Sequence, residues 1–373
     1  MKARLEQLQK AEKDERRNVL LSITRLYWQI FEKMGKRLIK ENLSREKRLF
    51  MRFGMLDENL MSERMDVWEQ LYLDKSRPDD SGVYYADELL EEVARGNLMF
   101  STIDEMALDG AKPDFKATGA KALGYELINL PQMQRMAVGA RANLVSVLVQ
   151  EYCQPSRENP IITRKWMKDT FPQVLKCDYK MFNRKRQGEE YVVTPIFIVL
   201  PGYGQLAGCW EPWSPGKKKD TGPRICMCAF PPRSSFKTLL MGMADYRWEF
   251  AKADAMHYWL SEGLTGNWIA LFSKKEQRQD LKQVFIQNYY VWIRYEANRV
   301  PKIDKRFRDF FWHNIQFNNE VKQGLKGSGL FSRLIELEEA KKRREEEERV
   351  EIERIKAEKE ARKAAREAKL SGS

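Results

Sequence analysis

The sequence predicts a mainly α fold with a small antiparallel or mixed β-element in its middle, an α+β arrangement that ends in a long solvated charged helix. Three observations carry this. Apolar residues recur at three-and-four spacing near the N-terminus and again after residue 234, a β-branched run interrupts them, and residues 338–369 are almost entirely Glu, Lys, Arg and Ala. Ten Trp, 18 Phe and 14 Tyr in 373 residues are too many for a disordered polymer, so the chain has a core to fold around.

The first helix follows from Leu20, Ile23, Tyr27, Ile30, Phe31, Met34 and Leu38, which fall on one face. Residues 10–17 before it are nearly all polar and predict a solvated start. Ser44 can cap a second helix running towards Phe53, with Gly54 as its stop, and Leu60, Met61, Val67, Trp68 and Leu71 mark a third. The turn-rich residues 77–82 (RPDDSG) close an N-terminal helical segment, 1–76. A helical subdomain, 83–153, follows. It holds a short amphipathic helix over 86–95 with Gly96 as its stop, a loop or weak helix over 111–124, and a long apolar helix over 131–152 with Pro131 in its first turn.

The body, 156–330, changes character at residues 191–200 (YVVTPIFIVL), which read as a buried strand. Residues 205–210 and 224–230 are its expected partners, joined by an exposed loop containing Pro212, Pro215, Gly216, Lys217, Lys218 and Lys219, so the sheet occupies about 191–230. Ser234 or Ser235 then caps a helix with apolar positions through Trp259, and further helices are expected around 279–296 and 302–315. In the last segment, 331–373, pairs such as Glu338 with Lys342, Glu339 with Arg343, Glu345 with Arg349 and Glu358 with Arg362 support helix by roughly 0.2–0.5 kcal/mol each. A coiled-coil seam started at Leu334 and Leu337 meets Lys341, Arg344 and Glu348 and fails, which leaves a solvated extension with a short patch at Val350, Ile352 and Ile355.

Five cysteines, an odd number in a chain with ample core, point to a reducing compartment, and a cytoplasmic location is expected. The N-terminus lacks the apolar run of a signal peptide, and the longest apolar stretch, 192–200, is too short for a membrane span and contains Pro195. Net charge of +12 leaves room for an acidic partner.

Motifs for catalysis are weak. Gly202-Tyr203-Gly204 follows a strand, but Pro212 prevents the helix whose N-terminus would hold a phosphate, so the glycines read as a turn. Cys226 and Cys228 would share one face of a strand at a spacing wrong for zinc and read as small buried hydrophobes, as does Cys209. No cofactor and no metal are expected. The helix over 235–259 carries Arg247 on an otherwise apolar stripe, with Asp254 and His257 further on, and these three form the expected structural polar cluster: a buried charge needs a partner, either Asp254 or an acid from elsewhere. The strand-then-helix order is similar to that of a zinc peptidase core, but no His-Glu-x-x-His is present, so any such relative would be metal-free.

Basic clusters that could grip phosphate or an acidic partner are Lys36 and Arg37, Arg45 and Arg48, Arg184, Lys185 and Arg186, and Lys217, Lys218 and Lys219. The reading that fits these features best is a non-enzymatic interaction or scaffold protein with protein partners, acting through a helical body and extended terminal helices. An RNA- or DNA-binding protein using the basic clusters is second. A degenerate or unrecognised enzyme centred on the 245–257 helix is third.

Overall fold

The structure is a computed structural model. It describes residues 1–35, 65–75, 82–96, 123, 127, 130, 133, 137, 160–186, 189–192, 194–204, 206–210, 224–231 and 234–371. It is mainly α with a small mixed sheet, as the sequence predicts. Lys36, Arg37, Arg45, Arg48 and Lys217 to Lys219 lie outside the described residues, as does the helix expected from Ser44.

Helix α1 (Lys2–Lys10) and helix α2 (Lys13–Gly35) are separated at Ala11, whose extended ψ of 136° ends the first. The α2 stripe of Val19, Leu20, Ile23, Tyr27 and Phe31 is buried against α3 (Met65–Lys75), where Tyr27 stacks on Tyr72 at 6.1 Å. Strand β1 (Val83–Tyr85) runs directly into α4 (Ala86–Arg95). The α4 bounds coincide with those expected, and Gly96 stops the helix in the left-handed region at φ 79°, which only glycine adopts freely. Leu123, Leu127, Leu130, Met133 and Ala137 are all helical, so helix is already present ahead of Pro131, the start of the expected helix over 131–152.

Helix α5 (Arg164–Cys177) carries Pro172 within it, and that proline hid it in the sequence. The expected strand over 191–200 is divided. Pro195 has no N–H to give a ladder, so β3 (Glu189–Val192) pairs antiparallel with β2 (Asn183–Arg186), and β4 (Ile196–Tyr203) starts afresh beyond the proline in a second sheet. That sheet has the order β1-β4-β6-β5, in which β6 (Arg224–Phe230) is parallel to β4 and β5 (Ala207–Trp210) returns antiparallel to β6.

All seven residues of β6 are buried because both its faces are covered. Ile225 faces helix α6 (Ser235–Ala255), where Gly242 lets backbone approach the sheet: a Cβ there would meet Ile225 at 2.7 Å and Ala207 at 3.0 Å. Cys226 and Cys228 face the other way, with Cys226 Sγ 3.1 Å from Met133 Sδ. Ser234 caps α6, accepting from the Lys237 N–H.

Beyond α6 stand α7 (Gly263–Ile269), α8 (Leu281–Arg294), α9 (Lys305–Asn314), α10 (Asn319–Leu325) and α11 (Ser332–Ser371). Trp268 lies 4.8 Å from Phe307 and 4.9 Å from Phe310, Phe285 stacks on Phe311, and Trp292 stacks on Phe317 at 4.4 Å. The turn between α8 and α9 is held by the Glu296 carboxylate, which accepts from the Lys302 and Ile303 N–H groups and pairs with Arg308 at 2.8 Å.

Candidate functional site

A cleft of about 530 Å3 opens between α1, β1 and α4, lined among others by Lys75, Asp87, Glu88, Glu91, Arg95 and Arg164. Its floor is charged and buried. Lys75, at the end of α3, is 3% exposed and meets Asp87 Oδ2 at 2.5 Å, while the other Asp87 oxygen accepts from the Tyr27 hydroxyl at 2.6 Å. Arg164 is equally buried; it pairs with Glu88 and donates through Nε to the Val83 carbonyl. Glu88 also accepts from the Tyr85 N–H at 3.0 Å, tying the start of α4. Asp74 accepts from the Tyr85 hydroxyl at 2.6 Å and from the Arg164 and Lys165 N–H groups.

Electrostatics follow from this geometry. Burial pushes the Glu88 carboxyl up, against the pull of Lys75, Arg164 and the Tyr85 N–H. Burial and then the Asp87 charge push the Tyr27 phenol well up, and burial and then Asp74 do the same to Tyr85. The phenols therefore stay neutral donors, and Lys75 with Asp87 and Arg164 with Glu88 are paired in the cleft floor. Sequence reasoning missed every member of these pairs, because a charge among other charges on a helix gives no sign of a tertiary partner such as Glu88 for Arg164, 76 residues away.

On α6, Arg247 faces Asp178, which has no exposure at all, at 3.6 Å, and donates to the carbonyls of Lys180, Met181 and Asn314. Its acid thus comes from the end of α5. Asp254 and His257 are exposed, the latter in the turn beyond α6, so the three residues grouped on the sequence face different surroundings. Asp245 and Glu249, one turn apart, both lie 2.5 Å from Lys282 Nζ. Burial works against the ammonium, but Asp245 and Glu249 outweigh it and raise its pKa. Burial also raises the Cys177 thiol to about 12, and the Cys209 and Cys228 thiols likewise, which keeps them protonated.

Arg184, Lys185 and Arg186 form β2, and the hairpin register sets Lys185 opposite Glu190 and Arg186 opposite Glu189, so that basic run shares its ladder with two acidic positions.

Helix α11 is fixed at its root and bare beyond. Phe331 and Ile335 are buried, and Lys322 bridges to Glu338 at 2.7 Å. Residues 341–361 are exposed throughout. Of the expected pairs, Lys342 reaches Glu338 at 2.9 Å, whereas Arg349 turns to Glu346 and Glu353, and Arg354 to Glu351 and Glu358.

Among the described residues no group of three or more His, Cys, Asp and Glu side chains is placed to hold a metal ion, and no helix is long and apolar enough to cross a membrane. A family model described as a domain of unknown function, DUF8509, matches residues 262–371, from the start of α7 to the end of α11. No curated protein and no solved structure matches the chain.

Proposed function

We propose that this chain is a non-enzymatic interaction protein whose helical body carries α11 as a stiff arm for a protein partner. The observation that carries the reading is the contrast along α11: a root packed by Phe331 and Ile335, then residues 341–361 exposed on every side. A helix this rich in charge is sustained by its own ion pairs, with Val350, Ile352 and Ile355 as a short exposed apolar patch, and at 1.5 Å per residue the arm over 341–371 reaches roughly 45 Å. Support comes also from the cleft, whose buried ions are engaged with one another: Lys75 with Asp87, Arg164 with Glu88. The family match runs through the aromatic core and the arm alike.

The test is affinity purification of the tagged full chain, and of a chain ending at Ala340, from the source cells with and without nuclease. A stoichiometric protein partner that resists nuclease and is lost with residues 341–373 is expected. Partners unchanged by the truncation, or released by nuclease, would overturn the reading.

A further inference from the structure

At the junction of the α6 N-terminus and the α8 C-terminus, three half-buried aromatic rings each carry a cation. Lys237 Nζ lies 5.4 Å from the Tyr290 ring, the Arg294 guanidinium 5.6 Å from Phe236, and Lys302 Nζ 3.8 Å from Tyr295. Tyr290 and Tyr295 meet edge to face at 5.9 Å, which makes the patch continuous. Arg294 and Lys302 are exposed, and Arg299 next to them is exposed as well.

What distinguishes this patch is its lack of acid. Helix α8 contains no Asp or Glu, and the first ten residues of α6, SFKTLLMGMA, contain none. Of the carboxylates nearest in sequence, Glu296 is buried and spent on Arg308 and two backbone N–H groups, and Asp304 caps α9 by accepting from the Arg306 N–H. Several other ring-held cations are paired with a carboxylate as well, as Lys75, Arg164, Arg306 and Lys322 are. Among the described residues, Lys237, Arg294 and Lys302 have none. An aromatic face holds a cation without neutralising it, so the charge stays available to an incoming anion. Lysine and arginine stems are long enough to swing off the ring to a phosphate and leave the ring face open to a base. The field is legible in Tyr295, whose phenol is lowered by the hydrogen bond from Tyr290 and then by Lys302.

We propose that this face binds single-stranded nucleic acid, with Lys237, Arg294 and Lys302 on phosphates and Tyr290, Tyr295 and Phe236 as stacking platforms for roughly two or three bases. Rings interleaved with unpaired cations suit a strand whose bases are free to stack; a duplex hides its bases and would use the cations alone. The inference does not rest on the arm of α11. Its residues are also separate from the basic clusters singled out on the sequence.

Fluorescence anisotropy with a labelled uridylate decamer, on the full chain between about 50 and 200 mM salt, tests it. We expect the decamer to bind more tightly than a duplex of equal length. The triple variant Lys237→Ser, Arg294→Ser, Lys302→Ser should keep the thermal midpoint, lose at least about tenfold in affinity, and flatten the log-log salt slope by about 2, three contacts at about 0.7 each. Tyr295→Leu should lose about tenfold through stacking alone and leave the slope unchanged. Lys237→Arg with Lys302→Arg should retain binding. Failure of the decamer to bind, binding indifferent to the triple variant, equal affinity for the duplex, or retention on phosphatidylserine vesicles in place of the decamer would each overturn the proposal.

Discussion

Arg247 shows how a single side chain holds three segments of this fold. Its guanidinium donates to carbonyls at 180, 181 and 314 and faces the buried Asp178, which also accepts from the Tyr289 hydroxyl at 3.1 Å. Burial raises the Asp178 pKa, while Arg247 and the Tyr289 hydroxyl lower it. Arg247→Met should therefore destabilise the body by about 3–5 kcal/mol at neutral pH, in denaturant titrations, because a buried carboxyl loses its counter-charge. Without the guanidinium the folded pKa of Asp178 climbs further above its unfolded value. The penalty is full above the folded pKa and fades as pH falls towards the unfolded one, so the deficit should be smaller at about pH 5 than at about pH 7. Adding Asp178→Asn should recover most of the loss; a deficit independent of both pH and residue 178 would mean that Arg247 acts only through its carbonyl bonds. The sequence marks Arg247 because a charge interrupting Leu240, Met243 and Phe250 is anomalous on a helix stripe. It does not mark Asp178, nor Lys75 and Asp87 in the cleft, because a charge on a mixed surface gives no sign that tertiary packing will bury it.

At the scale of elements, periodicity was legible wherever an element was long and one-sided. The α4 stripe with its Gly96 stop, strand β6, and a serine cap of α6 at 234 or 235 can all be read from residues alone. Three-residue β1 cannot be, since Val-Tyr-Tyr favours extension but is too short a run to mark a strand until it pairs parallel with β4. Close approach was equally invisible: Gly242 reads as a mild helix weakener, yet it is where α6 meets Ile225 and Ala207. Gly242→Leu should push α6 off the sheet and cost about 1–3 kcal/mol by overpacking, measured as a shift in denaturation midpoint at constant slope. Helix α11 divides by the same logic. Residues 341–361, which truncation after Ala340 removes, are all exposed and make surface ion pairs, so the truncation should move the thermal midpoint by less than about 2 °C. Ile335→Ala, at the packed root, should cost about 2–5 kcal/mol. If the truncation proved the more damaging of the two, the arm would be folded onto the body.

On the scale of the whole molecule, α6 decides what can fold by itself. It is buried on nearly every side, with 12 buried residues in 21, and such a helix is an inner wall and not a surface element. One face lies on β5 and β6 through Gly242. The other meets the C-terminal helices, with Trp248 5.4 Å from Phe285 and Glu249 bound to Lys282. The family match begins at residue 262, just after this helix, and so contains Trp268, Phe285, Phe307 and Phe311 without α6, whose Trp248 packs on Phe285. A fragment of residues 262–371 alone should consequently keep helical far-ultraviolet circular dichroism, because α11, built mostly of Glu, Lys, Arg and Ala, is a strong local helix. It should lose near-ultraviolet signal from its tryptophans and bind a hydrophobic dye, the marks of secondary structure without fixed packing. Supplying residues 234–261 covers the Phe285 face but bares the sheet side of α6, so that longer fragment should associate rather than fold as a monomer. In the full chain, fluorescence of the tryptophans and far-ultraviolet ellipticity should unfold together, because α6 joins the sheet to the aromatic core in one cooperative unit. A cooperative, monomeric unfolding transition for residues 262–371 alone would show instead that the aromatic core is self-sufficient and that α6 belongs to the sheet.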